Sequence, residues 1–183
     1  ASIFSIHNIG YQGIFPSHFY DFLGFDRVHF TESKFESYGN IHFMKGGIFF
    51  ADAVSTVSPS YAQEIMTPVG GNGLAPFLQR RKNDLYGILN GVDYDEWDPD
   101  FDPYIPAQYS TRNMSGKKLC KRTLQLIFHL EDREDIPVIA VLSRLAHQKG
   151  LDLLVPVIEK IIHTMRVQFI IVGKGEKRLE EFF

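Results

Sequence analysis

A single cysteine, Cys120, stands in a chain of 183 residues, which excludes an internal disulfide and a cysteine-based zinc site and is compatible with a reducing compartment. No apolar run approaches the roughly 20 residues that a membrane-spanning helix needs; the apolar segments are of strand length. Excess charge of one sign is also lacking. With a net charge of −3 and a pI near 6.2, the bulk electrostatics suggest neither nucleic acid nor an anionic membrane as partner, so any anion site must be local. Familiar motifs are missing as well. No Walker run occurs, and Gly173-x-Gly175 meets Arg178 where the dinucleotide fingerprint needs a third glycine, which disfavours a nicotinamide or nucleoside-triphosphate enzyme. No nucleophile elbow surrounds Ser58 or Ser60, which read as helix caps. The aspartates from Asp93 to Asp102 lack the calcium-loop spacing and read as a solvated hinge.

What is present is 44% hydrophobic and 14% aromatic content, enough for a sizeable core and one or two domains. The informative stretch runs from Val138 to Leu154. Its branched residues Val138–Leu142 predict a fully buried parallel strand, and helical spacing begins after Gly150, continuing to Met165 with a bend at Pro156. Arg144 and Lys149 fall in the turn between them. In a parallel α/β sheet that turn lies where ligands bind, and the N-terminus of the following helix favours an anion. The two cations fit a phosphate clamp; solvated side chains of a surface turn are the other reading.

The same strand–turn–helix order recurs along the chain. Ser2–Ile6 predicts a strand that delivers His7 and Asn8 to its end, before the glycine-flanked turn 9–13; His7 is there either as a functional group or as a structural hydrogen-bonder. Phe15 to Gly39 is aromatic without a period and reads as a partly helical flap, or as a platform for sugar rings. Helix Met44–Ala51, strand Ala53–Val57, helix Tyr61–Met66 and strand Leu85–Leu89 follow, the last closed by Asn90-Gly91. Beyond the acidic, proline-bearing segment, Gly116–Leu130 predicts an amphipathic surface helix with Leu119, Leu124, Leu126 and Ile127 on its apolar side. Val167–Val172 predicts another buried strand before Gly173-Lys-Gly175 and a last helix from Glu176. Together these predict parallel α/β structure with a local site for a diphosphate-sized anion and a second domain.

Five short runs carry a resemblance. They are His7-Asn-Ile-Gly-Tyr-Gln-Gly13, Phe43-Met-Lys-Gly-Gly47, Ala51-Asp-Ala-Val-Ser-Thr-Val-Ser-Pro-Ser-Tyr-Ala62 with Glu64-Ile65, Gly87-Ile-Leu-Asn-Gly-Val-Asp93 with Trp97 and Pro99, and Ser143-Arg-Leu with Gln148-Lys-Gly-Leu-Asp152. In this order and spacing the chain resembles the bacterial and plastid glycogen/starch synthase family. The resemblance implies a GT-B type α/β fold, with two Rossmann-like domains facing a cleft, each only partly present. It places residues 1–92 in the acceptor-side catalytic domain, 93–115 in a linker, and 116–183 in the nucleotide-sugar-binding domain. The chain opens without Met in an apolar strand and stops in a predicted helix, so it is expected to be a central fragment, inactive and poorly stable alone.

The implied reaction is retaining transfer of glucose from ADP-glucose to the non-reducing end of an α-1,4-glucan. By this resemblance Arg144 and Lys149 grip the departing diphosphate, His7 orients the donor glucose, Asn90 lines the sugar pocket, Asn8 is a further substrate-binding residue, and Gly173 and Gly175 lie near the nucleotide phosphates. No cofactor and no metal are implied, and no nucleic acid or membrane partner. The location would be the cytoplasm in a bacterium and the plastid in a plant or alga. Gly10, Cys120 and Lys174-Gly-Glu176 depart mildly from the family pattern. A non-catalytic sugar-nucleotide or glucan-binding relative is the alternative.

Overall fold

In the computed structural model, which describes residues 1–183, the chain divides into two units, Ala1–Val92 and Asp93–Phe183. The first begins with β1 (Ile3–Ile6), a loop over 7–13, β2 (Ile14–Pro16), three single turns of 3-10 helix, β3 (Glu36–Ser37), β4 (Asn40–His42) and α1 (Phe43–Phe50). β5 (Ala53–Thr56), α2 (Pro59–Glu64), α3 (Ala75–Arg80) and β6 (Leu85–Gly87) complete it. Strands β1, β5 and β6 pair in parallel in that order, with Ile3 opposite Ala53 and Val54 opposite Leu85. Their carboxyl ends therefore share one edge. β2, β4 and β3 form a separate small antiparallel sheet.

Ile6, Val54, Ile65 and Leu78 are fully buried at the centre of the first unit. Each such side chain contributes about 1.5–3 kcal/mol relative to an exposed one. Helix α2 starts where Ser58 accepts the Tyr61 N–H at 2.9 Å and Pro59 supplies the first turn, so Ser58 is the cap; Ser60 lies inside the helix, its hydroxyl 3.1 Å from that of Ser58. In the aromatic segment Tyr20 is buried, with the rings of Phe30, Phe35 and Phe25 4.8, 6.1 and 6.2 Å away. These rings are at edge-to-face and tilted distances typical of a packed cluster. The segment is thus built of 3-10 turns around its own aromatic core.

Arg81 closes the far end of α1. Its guanidinium donates to the carbonyls of Ile48 at 2.7 Å, Ala51 at 2.8 Å and Asp52 at 3.0 Å, and to Asp84 at 3.2 Å. Lysine has no planar fork with which to reach these acceptors together. Arg81→Lys is expected to lower unfolding free energy by about 1.5–3 kcal/mol, the range for hydrogen bonds to a charged donor. Urea melts would check this, and a loss below about 0.5 kcal/mol would show the fork to be dispensable.

The second unit contains α4 (Ser115–Ile127), β7 (Val138–Leu142), α5 (Leu151–Leu154), α6 (Ile158–Thr164), β8 (Gln168–Val172) and α7 (Lys177–Phe182). Between 93 and 104 the aspartates are engaged locally: Asp93, Asp98 and Asp102 accept from the N–H groups of Asp95, Asp100 and Tyr104 at 3.0, 3.0 and 2.8 Å. Such Asx turns compete with regular structure. Leu145, Leu151 and Leu179 form the small core of the unit.

Three expectations for this unit are corrected. β7 is parallel but not fully buried; it pairs with β8 alone, and Leu142 is 75% exposed. The helix expected over Leu151–Met165 is not bent but broken, because Pro156 has no N–H to donate and α6 restarts after it. On α4, a surface helix as expected, the leucine stripe is not packed away: Leu119 and Leu124 line an open groove beside Val138 and Ala140 of β7. Leu126 and Ile127 are 56% and 62% exposed, whereas Gln125 is buried, its amide donating to Arg133 O and Gln168 Oε1 at 3.0 and 2.7 Å. A satisfied amide can be buried where an unpaired one would be costly.

Candidate functional site

Parallel pairing brings the carboxyl ends of β1, β5 and β6 to one edge, and a cavity of about 290 Å³ opens there. His7, which follows β1, and Asn90, which follows β6, both line it, with Thr56 and Val57 from the end of β5. His7 and Asn90 are 83 positions apart in sequence and are joined only by this topology. The floor is fixed from below. Thr56 donates to Ile6 O at 2.7 Å, and the hydroxyls of Ser5 and Ser55 lie 2.8 Å apart.

Asn8 is placed differently. Its carboxamide oxygen accepts the Gly10 N–H at 2.9 Å, and its carbonyl accepts the Tyr11 N–H at 3.3 Å, so it shapes the loop after His7 and does not line the cavity. Tyr61 of α2 takes the Ile9 N–H at 3.1 Å and ties the same loop to the helix.

In the second unit, β7 leads to Arg144, and Lys149 closes a 3-10 turn over His147–Lys149. Both cations are exposed, and neither forms an ion pair. Gly150 adopts a left-handed conformation with φ 72°, which turns the chain into α5. That helix has only four residues. The macrodipole expected to draw an anion to this turn is correspondingly small, because it sums over aligned peptides. What remains is the charge of the two side chains. His147 Nδ1 lies 3.0 Å from Asp152 Oδ2, and the His147 N–H donates to Glu176 Oε1 at 2.9 Å, so the turn is braced at both ends.

Gly173 and Gly175 lie against this turn. Leu145 donates to Lys174 O at 3.1 Å and accepts from the Glu176 N–H at 2.7 Å, extending the β7–β8 pairing past the strand ends. A Cβ on Gly173 would stand 2.0 Å from Ser143 O, and one on Gly175 2.2 Å from Leu145 O. The two glycines and the two cations are therefore assembled at one end of one sheet. Backbone approach alone already requires these glycines.

Two buried polar residues at the start of α1 carried no obvious signal. Lys45 is only 2% exposed and His42 only 3%. Lys45 donates to Glu36 O and lies 5.0 Å from the centre of the Phe77 ring; burial pushes its ammonium below the ordinary lysine range, with Glu36 and Glu32 opposing. A lysine inside the apolar run Phe43–Phe50 was the available clue.

Residues 1–80 match the family model described as the starch synthase catalytic domain. A glycogen synthase from Anaeromyxobacter sp. (strain Fw109-5) is 45% identical over 182 residues, covering 100% of this chain and 38% of the relative. One from Pseudothermotoga lettingae is 46% identical over 186 residues, covering 100% and 37%. Among solved structures, the catalytic domain of starch synthase IV from Arabidopsis thaliana bound to ADP and acarbose matches with a TM-score of 0.89 and 31% identity, over 98% of this chain and 37% of that one. The chain thus spans little more than a third of the length of these proteins. No helix in it is long and apolar enough to cross a membrane.

Proposed function

Since the chain belongs to the glycogen/starch synthase family, we propose that the full-length protein transfers glucose from ADP-glucose to the non-reducing end of an α-1,4-glucan with retention of configuration. One observation carries this reading: the likeness, over 98% of the chain, to a starch synthase catalytic domain bound to ADP and acarbose. The assignment of residues 1–92 to the acceptor-side domain, 93–115 to a linker and 116–183 to the nucleotide-sugar domain belongs to the same proposal. So does a location in the bacterial cytoplasm or the plastid.

In this reading Arg144 and Lys149 take the charge of the departing diphosphate. Their exposure and lack of ion-pair partners leave both cations available to an anion. His7 and Asn90 bond hydroxyls of the donor glucose, which is supported by their common cavity. Asn8 contributes by shaping the loop, and Gly173 and Gly175 by the close backbone approach beside the phosphates. The bond between the anomeric carbon and the diphosphate oxygen breaks, a bond to the acceptor's 4-hydroxyl oxygen forms, and the hydroxyl proton passes to the leaving diphosphate. Positioned charge and orientation supply the catalysis, with no carboxylate pair in the step.

The test is transfer of labelled glucose by the full-length protein to a maltooligosaccharide from ADP-glucose and, separately, from UDP-glucose. Transfer from ADP-glucose at several times the UDP-glucose rate is expected. A folded protein that binds ADP but transfers from neither donor would instead be a sugar-nucleotide-binding relative.

A further inference from the structure

Of the four N–H groups at the start of α1, that of the capping His42 donates to Phe35 O at 2.6 Å, and the next three are taken by the loop that follows His7 or by His42 itself. Phe43 N–H donates to Gly13 O at 3.0 Å, Met44 N–H to Gln12 O at 3.0 Å, and Lys45 N–H to Nδ1 of His42 at 3.2 Å. The last of these settles the tautomer. A backbone N–H can only donate, so Nδ1 must be the acceptor and the ring proton must sit on Nε2. Nε2 then donates to Gln12 Oε1 at 2.9 Å, which leaves the Gln12 amide nitrogen to donate to Asn72 O at 2.9 Å. Gln12 thus joins the helix start, the loop after α2 and the loop bearing His7 in one directed chain.

We propose that Gln12 and His42 are a positioning pair, in which the uncharged imidazole and the carboxamide hold loop 8–13 on the first turn of α1 and thereby fix His7 at the carboxyl edge of the sheet. The catalytic consequence rests on the sugar-orienting role proposed above for His7; the structural one does not. A proton on Nδ1 would set N–H against N–H and release the cap. Burial pushes His42 below the ordinary histidine range, and the Lys45 ammonium acts in the same direction. Lys45 is itself faced by Glu36 and Glu32. Folding therefore favours neutral His42. The stability from this preference is complete above the unfolded-state value near 6.5 and is lost as pH falls below it.

The experiment uses the full-length protein labelled with ¹⁵N-histidine. At pH 7.5 His42 is expected as the Nε2–H tautomer with a slowly exchanging ring proton. In Gln12→Leu that proton should exchange at least about tenfold faster and the His7 resonances should shift. Turnover should fall about tenfold while KM for the donor stays within about twofold, because the groups assigned to the diphosphate are untouched. Gln12→Glu keeps an acceptor for Nε2 and adds a charge that favours the imidazolium, so the acid limb of kcat should move to higher pH; this variant also serves if Gln12→Leu fails to fold. Unchanged exchange and unchanged His7 resonances in Gln12→Leu would overturn the pair. Shifted resonances with unaltered turnover would overturn its positioning role. A wild-type protein without transfer would sink the proposed function instead, and the exchange measurement would still decide the pair.

Discussion

Replacing Lys149 with alanine in the full-length protein is expected to lower kcat for glucosyl transfer by about 10²–10³-fold, the usual effect of removing one preorganised group from developing charge. The ammonium sits on an exposed turn and forms no ion pair, so its removal should leave folding alone. The turn itself is held by other atoms, namely the His147 N–H on Glu176 and the His147 ring beside Asp152. A loss of activity with an unchanged melting temperature would therefore report on chemistry. The split between constants is informative too. The diphosphate gains charge as the glycosidic bond breaks, so a group that meets this charge lowers kcat more than it raises KM for the donor. Arg144→Ala should behave alike, and Arg144→Lys should not restore full activity if the contact uses the planar fork. A fall of less than tenfold for Lys149→Ala would return the turn to the reading of solvated cations.

The parts legible in the sequence are those whose signal is local. Val138–Leu142 and Gln168–Val172 are runs of branched residues, and each became a strand within a residue of its expected bounds. Their degree of burial was not legible, since it depends on how many strands stand beside them. The strands β2, β3 and β4 were missed because two or three residues cannot display a period of two. α3 was missed because Ala75-Pro-Phe-Leu-Gln-Arg80 follows a glycine-rich loop and is too short to show a helical stripe. The α4 leucines illustrate the converse. Their stripe is apolar as the pattern predicts, but it lines an open groove and stays largely exposed, and the buried position went to Gln125. Of the site, His7 and Asn90 could be proposed one by one from the family runs, whereas their common cavity needed the strand order. The Gln12–His42 contact spans 30 positions and has no local signature.

Gly173 offers the other large effect, and on a different quantity. Its φ lies outside the left-handed region, so alanine is allowed by conformation; the obstacle is space. The added Cβ would meet Ser143 O at 2.0 Å and Leu145 Cδ2 at 3.2 Å, and the first of these is backbone that no rotamer change can move. Relief requires separating segment 143–145 from 173–175, where the Ser143 N–H on Val172 O and the Leu145 N–H on Lys174 O extend the ladder. Overpacking of this kind costs about 1–3 kcal/mol, and each lost hydrogen bond about 1 kcal/mol more. Gly173→Ala is therefore expected to destabilise the second unit by about 3 kcal/mol or more, read as accelerated amide exchange at Val141, Leu142, Ile170 and Ile171. Gly150→Ala is the contrasting control. There the Cβ has room, with Leu153 Cδ1 no nearer than 3.9 Å, but φ is 72°, so the cost is the conformational one of about 1–2 kcal/mol. If exchange in Gly173→Ala matched the wild type, the close approach to Ser143 would not be a constraint. The glycine would then be free to be explained by a ligand. If exchange accelerates as expected, the glycine is required by the sheet, and the test of an anion site at this turn rests on Arg144 and Lys149 alone.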